Sequence, residues 1–172
     1  GAYTAGSIFG GSGNDTISTG STATGTVIDA GADNYSVSLQ SAKTYSAVTI
    51  SGGSSNDTIS FKATSTLKAS SIYGGTAGDS TDGGDQITLA TVSSSFIQGN
   101  AGNDTITIAK ASTGSTIKGG KGADSMVQTG AIGTSQFTGG LGKDSFTFSA
   151  AVSSNTSIFG GSKSDTSNDS AD

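Results

Sequence analysis

"GNAGNDTITIAK", residues 99–110, sets two glycines and an Asn-Asp pair directly before an alternating Thr-Ile-Thr-Ile run. The same order recurs as "GGSGNDTIS" at 10–18 and "GGSSNDTIS" at 52–60, and in altered form as "GGKGADSMV" at 119–127 and "GGLGKDSFTF" at 139–148. A flexible turn, a carboxylate and a strand pattern therefore form one unit of a repeat.

The period can be measured from the large apolar residue two places before each Gly-Gly or its substitute. These residues are Ile8, Ile28, Ile50, Ile72, Ile97, Ile117, Phe137 and Ile158, which lie 20, 22, 22, 25, 20, 20 and 21 residues apart. A spacing near 20 is that of a solenoid, in which each repeat buries its apolar face only against its neighbours. After the loop Asp, apolar residues come two and usually four places on: Ile17, Tyr35, Ile59, Ile87, Ile106, Met126 and Phe146, then Thr19, Val37, Phe61, Leu89, Ile108, Gln128 and Phe148. That alternation is the period of a strand with one buried face. Thr26, Val48, Ser70, Ser95, Ser115, Ser135 and Thr156 stand two places before the apolar anchors and supply small inward residues for a narrow core. The expected architecture is all-β: a right-handed parallel β-solenoid of about eight coils, with two strands per coil and two thin facing sheets. Residues 1–172 read as one solenoid segment and, because the pattern runs to both ends, as an excerpt of a longer array.

Composition narrows the function. The chain of 172 residues is 31% apolar and 6% aromatic, with 28 glycines and no proline or cysteine. All 13 acidic residues are Asp and all 8 basic residues are Lys, for a net charge of −5. No basic footprint for nucleic acid is present, and no apolar run is long enough to span a bilayer. Without Cys, disulfides and thiolate metal sites are excluded. His and Glu are also absent, and the Asp residues lie where a metal row would use them, so the chain does not read as an enzyme.

The two edges of each coil differ. One repeats Asp; the other, as in "STATG" (21–25), "KATSTLKA" (62–69) and "AKASTG" (109–114), varies in length and repeats no acid. Stacking places Asp57, Asp85, Asp104, Asp124 and Asp144 in a column one coil apart, with Asp15 and Asp33 continuing it. Like charges so close repel and raise one another's pKa. A divalent cation between successive loops removes that conflict, since glycine permits backbone angles that turn carbonyls inward and a hard cation takes carbonyl and carboxylate oxygens together.

These residues resemble the repeat-in-toxin (RTX) calcium β-roll, whose nonapeptide repeat binds calcium. The resemblance implies several Ca2+ ions between adjacent turns, held by loop carbonyls and by the Asp of each motif. Carried onto this chain, it points to Gly11, Gly13 and Asp15; Gly99, Gly102 and Asp104; Gly120, Gly122 and Asp124; and Gly140, Gly142 and Asp144. Weaker loops end at Asp33, read as one residue short, and at Asp57, where Ser55 replaces a glycine. The loop "GGTAGDSTDGGD" (74–85) inserts residues carrying Asp79 and Asp82 before Asp85, and Asp165 sits in a terminal echo of it. The β-roll repeats its glycine loop on both edges, whereas here it comes once per coil, which implies one calcium row. Within that family the Ser/Thr-rich style is most like bacterial surface-layer and other self-assembling surface proteins, exported by type I secretion. The expected function is a calcium-folding structural segment outside the cell, with calcium and neighbouring repeats or other copies as partners. The alternatives are a calcium-folding secretion module of an exported hydrolase, toxin or adhesin and, ranked lower, an ice- or surface-binding face built on pairs such as Thr105 and Thr107.

Overall fold

Alternating Thr and Ile place β-branched side chains on both faces of an extended chain, which suits a strand packed on one side. The computed structural model describes residues 2–76 and 81–161, and in it Thr105–Ile108 is such a strand. It pairs in parallel with Gln86–Leu89 before it and Ser125–Gln128 after it, with Ile87, Ile106 and Met126 directly opposite one another. The described residues contain strands and no helix, and the strands stack coil upon coil into three parallel sheets.

The first sheet, eight-stranded, runs from Ser7–Gly11 to Ser157–Gly161 and leads into each glycine loop. Its inward column is Ile8, Ile28, Ile50, Ile72, Ile97, Ile117, Phe137 and Ile158, each in register with the next. The repeat spacing thus gives the stacking register directly. The second sheet, seven-stranded, follows the loop, from Thr16–Thr19 to Ser145–Phe148.

A third sheet of seven strands, two or three residues each, lies within the stretches expected to be polar turns. Ala23–Thr24, Thr66–Lys68 and Ser112–Thr113 are among its members. Seven coils therefore have three strands each rather than two, and of the eighth only the first-sheet strand lies among the described residues. The chain bends between the third and first sheets at residues with left-handed φ: Ala5, Gly25, Ala47, Ala69, Ser94, Gly114 and Thr134. Only two of these are glycine, so no glycine signal marks the corner.

The Ser column explains how other residues hold that bend. Ser70, Ser95, Ser115 and Ser135 each donate their hydroxyl to the carbonyl two residues back, at 2.8 to 3.1 Å. Their oxygens accept the backbone N–H of the corresponding residue one coil earlier, Val48, Ser70, Ser95 and Ser115. The hydroxyl is both donor and acceptor, so this buried corner is satisfied within the protein.

One core joins the three inward columns. Ile28, Ile50, Ile72, Ile97 and Ile117 of the first sheet, Ile59 and Ile87 of the second and Tyr45 of the third are fully buried. Tyr45 packs edge-on against Phe61 at 5.2 Å and accepts the N–H of Ser41 with its hydroxyl. At the ends of the stack, Ile8, Ile17, Phe146 and Phe148 are only partly buried. Truncation should follow that gradient. Ile97→Ala is expected to cost about 2–5 kcal/mol in denaturant unfolding, and Ile8→Ala distinctly less.

Candidate metal-binding edge

Between the first and second sheets the chain turns through the glycine loop, and parallel stacking sets the loops in register. The column that ends each loop reads Asp15, Tyr35, Asp57, Asp85, Asp104, Asp124 and Asp144, as fixed by the strand pairs that begin one residue later. Asp33 is not in it. Pairing Ile17 with Val37 and Val37 with Ile59 shows that "AGADNY" (30–35) aligns without a gap on "GGSGND" (10–15). The loop ending at Asp33 is therefore not short: Asp33 occupies the place of Gly13, Tyr35 that of Asp15, and the inward strand residues are Val37 and Leu39. The matching Asn14 and Asn34 carry the sequence signal that finds this alignment. Asp79 and Asp165 lie outside the described residues.

Each Asp is built into the stack through one oxygen. Oδ1 of Asp57, Asp85, Asp104, Asp124 and Asp144 accepts the backbone N–H of the column residue one coil earlier, at 2.7 to 2.9 Å. Beside it runs an outer Asn ladder: Asn14, Asn34 and Asn56 accept the N–H of Asn34, Asn56 and Gly84, and Asn103 that of Ala123.

The other oxygen is the chemically loaded one. Oδ2 of Asp57, Asp85, Asp104 and Asp124 is buried and has no hydrogen-bond partner. It lies in the space that a glycine's missing side chain leaves open. A Cβ on Gly99 would overlap Asp104 Oδ2 and crowd the carbonyl of Gly119, and one on Gly119 would overlap Asp124 Oδ2 and crowd the carbonyl of Gly139. Gly52 and Gly74 stand in the same relation to Asp57 and Asp85. Carboxylate and carbonyl oxygens thus converge with no donor between them. An unpartnered ionised carboxylate is costly to bury, and oxygen ligands of this kind are what a hard cation takes. Among the described residues no three acidic side chains converge on one point, so backbone carbonyls would have to complete the coordination. The expected Gly102, Gly122 and Gly142 have left-handed φ, as do Gly11, Gly13, Gly120 and Gly140. Gly99 instead serves by having no side chain.

Burial, opposed in part by the backbone hydrogen bond, raises these carboxyls from an ordinary 3.8 to about 6 for Asp57, about 8 for Asp85 and about 7 for Asp104 and Asp124. Neighbouring Asp residues add a smaller push in the same direction. The fold holds these protons more tightly than the unfolded chain does, so the contribution to stability is full below about pH 4 and is lost as pH rises through 6 to 8. Without metal, urea unfolding should show the protein more stable at pH 5 than at pH 8. A cation competes with the protons, so saturating calcium should flatten or reverse that slope.

The insertion and two substitutions are local variants of the loop. Asp82 is nearly buried against Gly75, whose Cβ would overlap its carboxylate, and Asp85 returns to the column. Asn100, with φ of 89°, occupies the place of a loop glycine and donates its side-chain amide to the carbonyl of Gly75 at 2.6 Å. Ser55 takes the Gly13 position with φ of 76°. Left-handed strain of about 1–2 kcal/mol for a side-chain-bearing residue outweighs the 0.4–1 kcal/mol or so of added unfolded-state freedom that glycine brings. Ser55→Gly is therefore expected to stabilise the fold by roughly 0.5–1 kcal/mol in denaturant melts.

Comparison with known proteins agrees with the loop chemistry. A family model described as RTX calcium-binding nonapeptide repeat (4 copies) matches residues 5–22, 46–62 and 93–107. These stretches contain the loops that end at Asp15, Asp57 and Asp104. No curated protein and no solved structure matches the chain.

Proposed function

A chain that carries RTX calcium-binding repeats stacked as a solenoid is, we propose, a structural segment that folds on meeting calcium outside the cell and serves a self-assembling surface protein. The observation that carries this reading is the row of buried, unpartnered Asp oxygens along a single edge. The Ser corner of the same coils is closed by its own hydroxyls and asks for nothing from outside. Calcium would be held between successive loops by the carboxylates of Asp57, Asp85, Asp104 and Asp124, with Asp144 at the end of the row, and by loop carbonyls such as those of Gly119 and Gly139. The ion supplies positive charge where the fold places oxygen atoms only.

Extracellular calcium modules bind at about 10⁻⁴–10⁻³ M. That range would keep the segment unfolded inside a cell and folded outside, in accord with export. Assembly is supported by the Ser/Thr-rich style of the coils, which within the RTX family is most like that of self-assembling surface proteins. A second reading, favoured by the match of three loops to the nonapeptide repeat, is the calcium-folding module of an exported hydrolase, toxin or adhesin.

Circular dichroism in chelator is expected to show loss of strand signal, restored by calcium at about 0.1–1 mM; an unchanged spectrum would contradict calcium-dependent folding. Light scattering and electron microscopy of the calcium-loaded protein then separate the two readings. Sheets or filaments that dissolve on chelation support surface assembly, whereas a folded monomer at high concentration favours the secretion module.

A further inference from the structure

Coil 2, whose loop is residues 30–35, departs from coil 1, whose loop is residues 10–15, and from the later coils at three loop positions at once, and the three changes fit together. Tyr35 stands where the other coils have Asp, Asp33 where the first coil has Gly13, and Ala30 where they have Gly10, Gly52, Gly74, Gly99, Gly119 and Gly139. Tyr35 is 3% exposed. Its hydroxyl donates to the carbonyl of Gly11 in the coil below at 2.6 Å. Its ring lies where a side chain on Gly10 would be, 2.6 Å from that Cβ position, and its hydroxyl lies against Gly31.

We propose that the Tyr35 phenol takes the place of a cation and closes the loop interface between coils 1 and 2 to calcium. In the coils of Asp57, Asp85, Asp104 and Asp124, carbonyl and carboxylate oxygens face one another without a donor. Here a hydroxyl supplies the donor, the ring fills the volume, and coil 2 brings no column carboxylate of its own. Ala30 follows from the exchange. In every Asp coil from Asp57 to Asp144 a Cβ at this position would collide with Asp Oδ2, so alanine is admissible only where that oxygen is missing. The displaced acid, Asp33, turns outward and accepts the N–H of Gly13 at 2.8 Å. The backbone ladder continues across the exchange, since Asp57 Oδ1 accepts the N–H of Tyr35 at 2.7 Å. Asn100 makes a related bond to the carbonyl of Gly75, but its coil keeps Gly99 and Asp104 and with them the acceptor cluster.

The calcium row is therefore interrupted at coil 2, and the contact between coils 1 and 2 holds without metal. This rests on the calcium reading of the other loops, and the experiment separates the two. In calorimetric titration with calcium alone, the double variant Ala30→Gly with Tyr35→Asp restores both the carboxylate and the space for it, and is expected to bind at least one more ion per chain than the unaltered protein. An equal count in two folded proteins that both bind calcium overturns the role of Tyr35 and leaves the calcium reading intact. If the unaltered protein binds no calcium, both fall. Should the variant fail to fold, anomalous density from lanthanide-soaked crystals of the unaltered protein decides: peaks beside Asp104 and Asp124 with none between the loop carbonyls of Gly11 and Gly31 support the proposal, and a peak there overturns it.

Discussion

Stacking identical loops one coil apart, about 4.8 Å, forces every loop group to face a copy of itself, and this constraint governs the whole molecule. A group that both donates and accepts can satisfy its own copies indefinitely. A group that only accepts cannot. The Ser column belongs to the first kind: each hydroxyl gives its hydrogen to a carbonyl of its own coil and takes an N–H from the coil before it. The Asp column belongs to the second: Oδ1 finds a backbone N–H while Oδ2 remains among oxygens. The two corners have the same geometry of stacking and opposite electrostatic outcomes.

From this follow the two ways in which the Asp corner can be neutralised. Protons can do it, which is why burial drives these carboxyls to pKa values of about 6 to 8. A divalent cation can do it at neutral pH and, by binding the folded state alone, adds about 2.7 kcal/mol per site at a hundredfold excess over its Kd. The apolar columns of Ile in the first and second sheets hold the coils in register, so that the loop oxygens meet at all. Packing therefore positions the acceptors, and a cation bound by them would make folding sensitive to its concentration.

Much of this is legible in the sequence, because a solenoid writes its stacking register as a linear period. The Ile8-to-Ile158 spacing gave the column that the first sheet forms, and the loop Asp residues from Asp57 to Asp144 fell into line with it. The third sheet was hidden because its strands are only two or three residues long and its corner uses Ala47, Ala69, Ser94 and Thr134 at left-handed φ, where glycine would have announced a turn. Coil 2 was misaligned because an Asp in a glycine-rich loop was read as the column Asp. The adjacent Asn34, matching Asn14 and Asn56, was the better guide, and it places a tyrosine in the column. Which Asp oxygen lacks a partner is a matter of three-dimensional hydrogen bonding that no spacing rule contains.

The central claim is that a buried carboxylate oxygen without a donor makes the fold depend on calcium. It is tested most directly by replacing that oxygen with a donor, in Asp104→Asn and Asp124→Asn, and following the strand signal by circular dichroism at pH 7.5 in chelator and as calcium is added back. The amide keeps the oxygen that accepts the backbone N–H and offers its NH2 to the converging carbonyls. Each variant is expected to keep more of its strand signal than the unaltered protein in chelator and to gain less from calcium. A strand signal in chelator no greater than that of the unaltered protein, together with an undiminished gain from calcium, would contradict the claim.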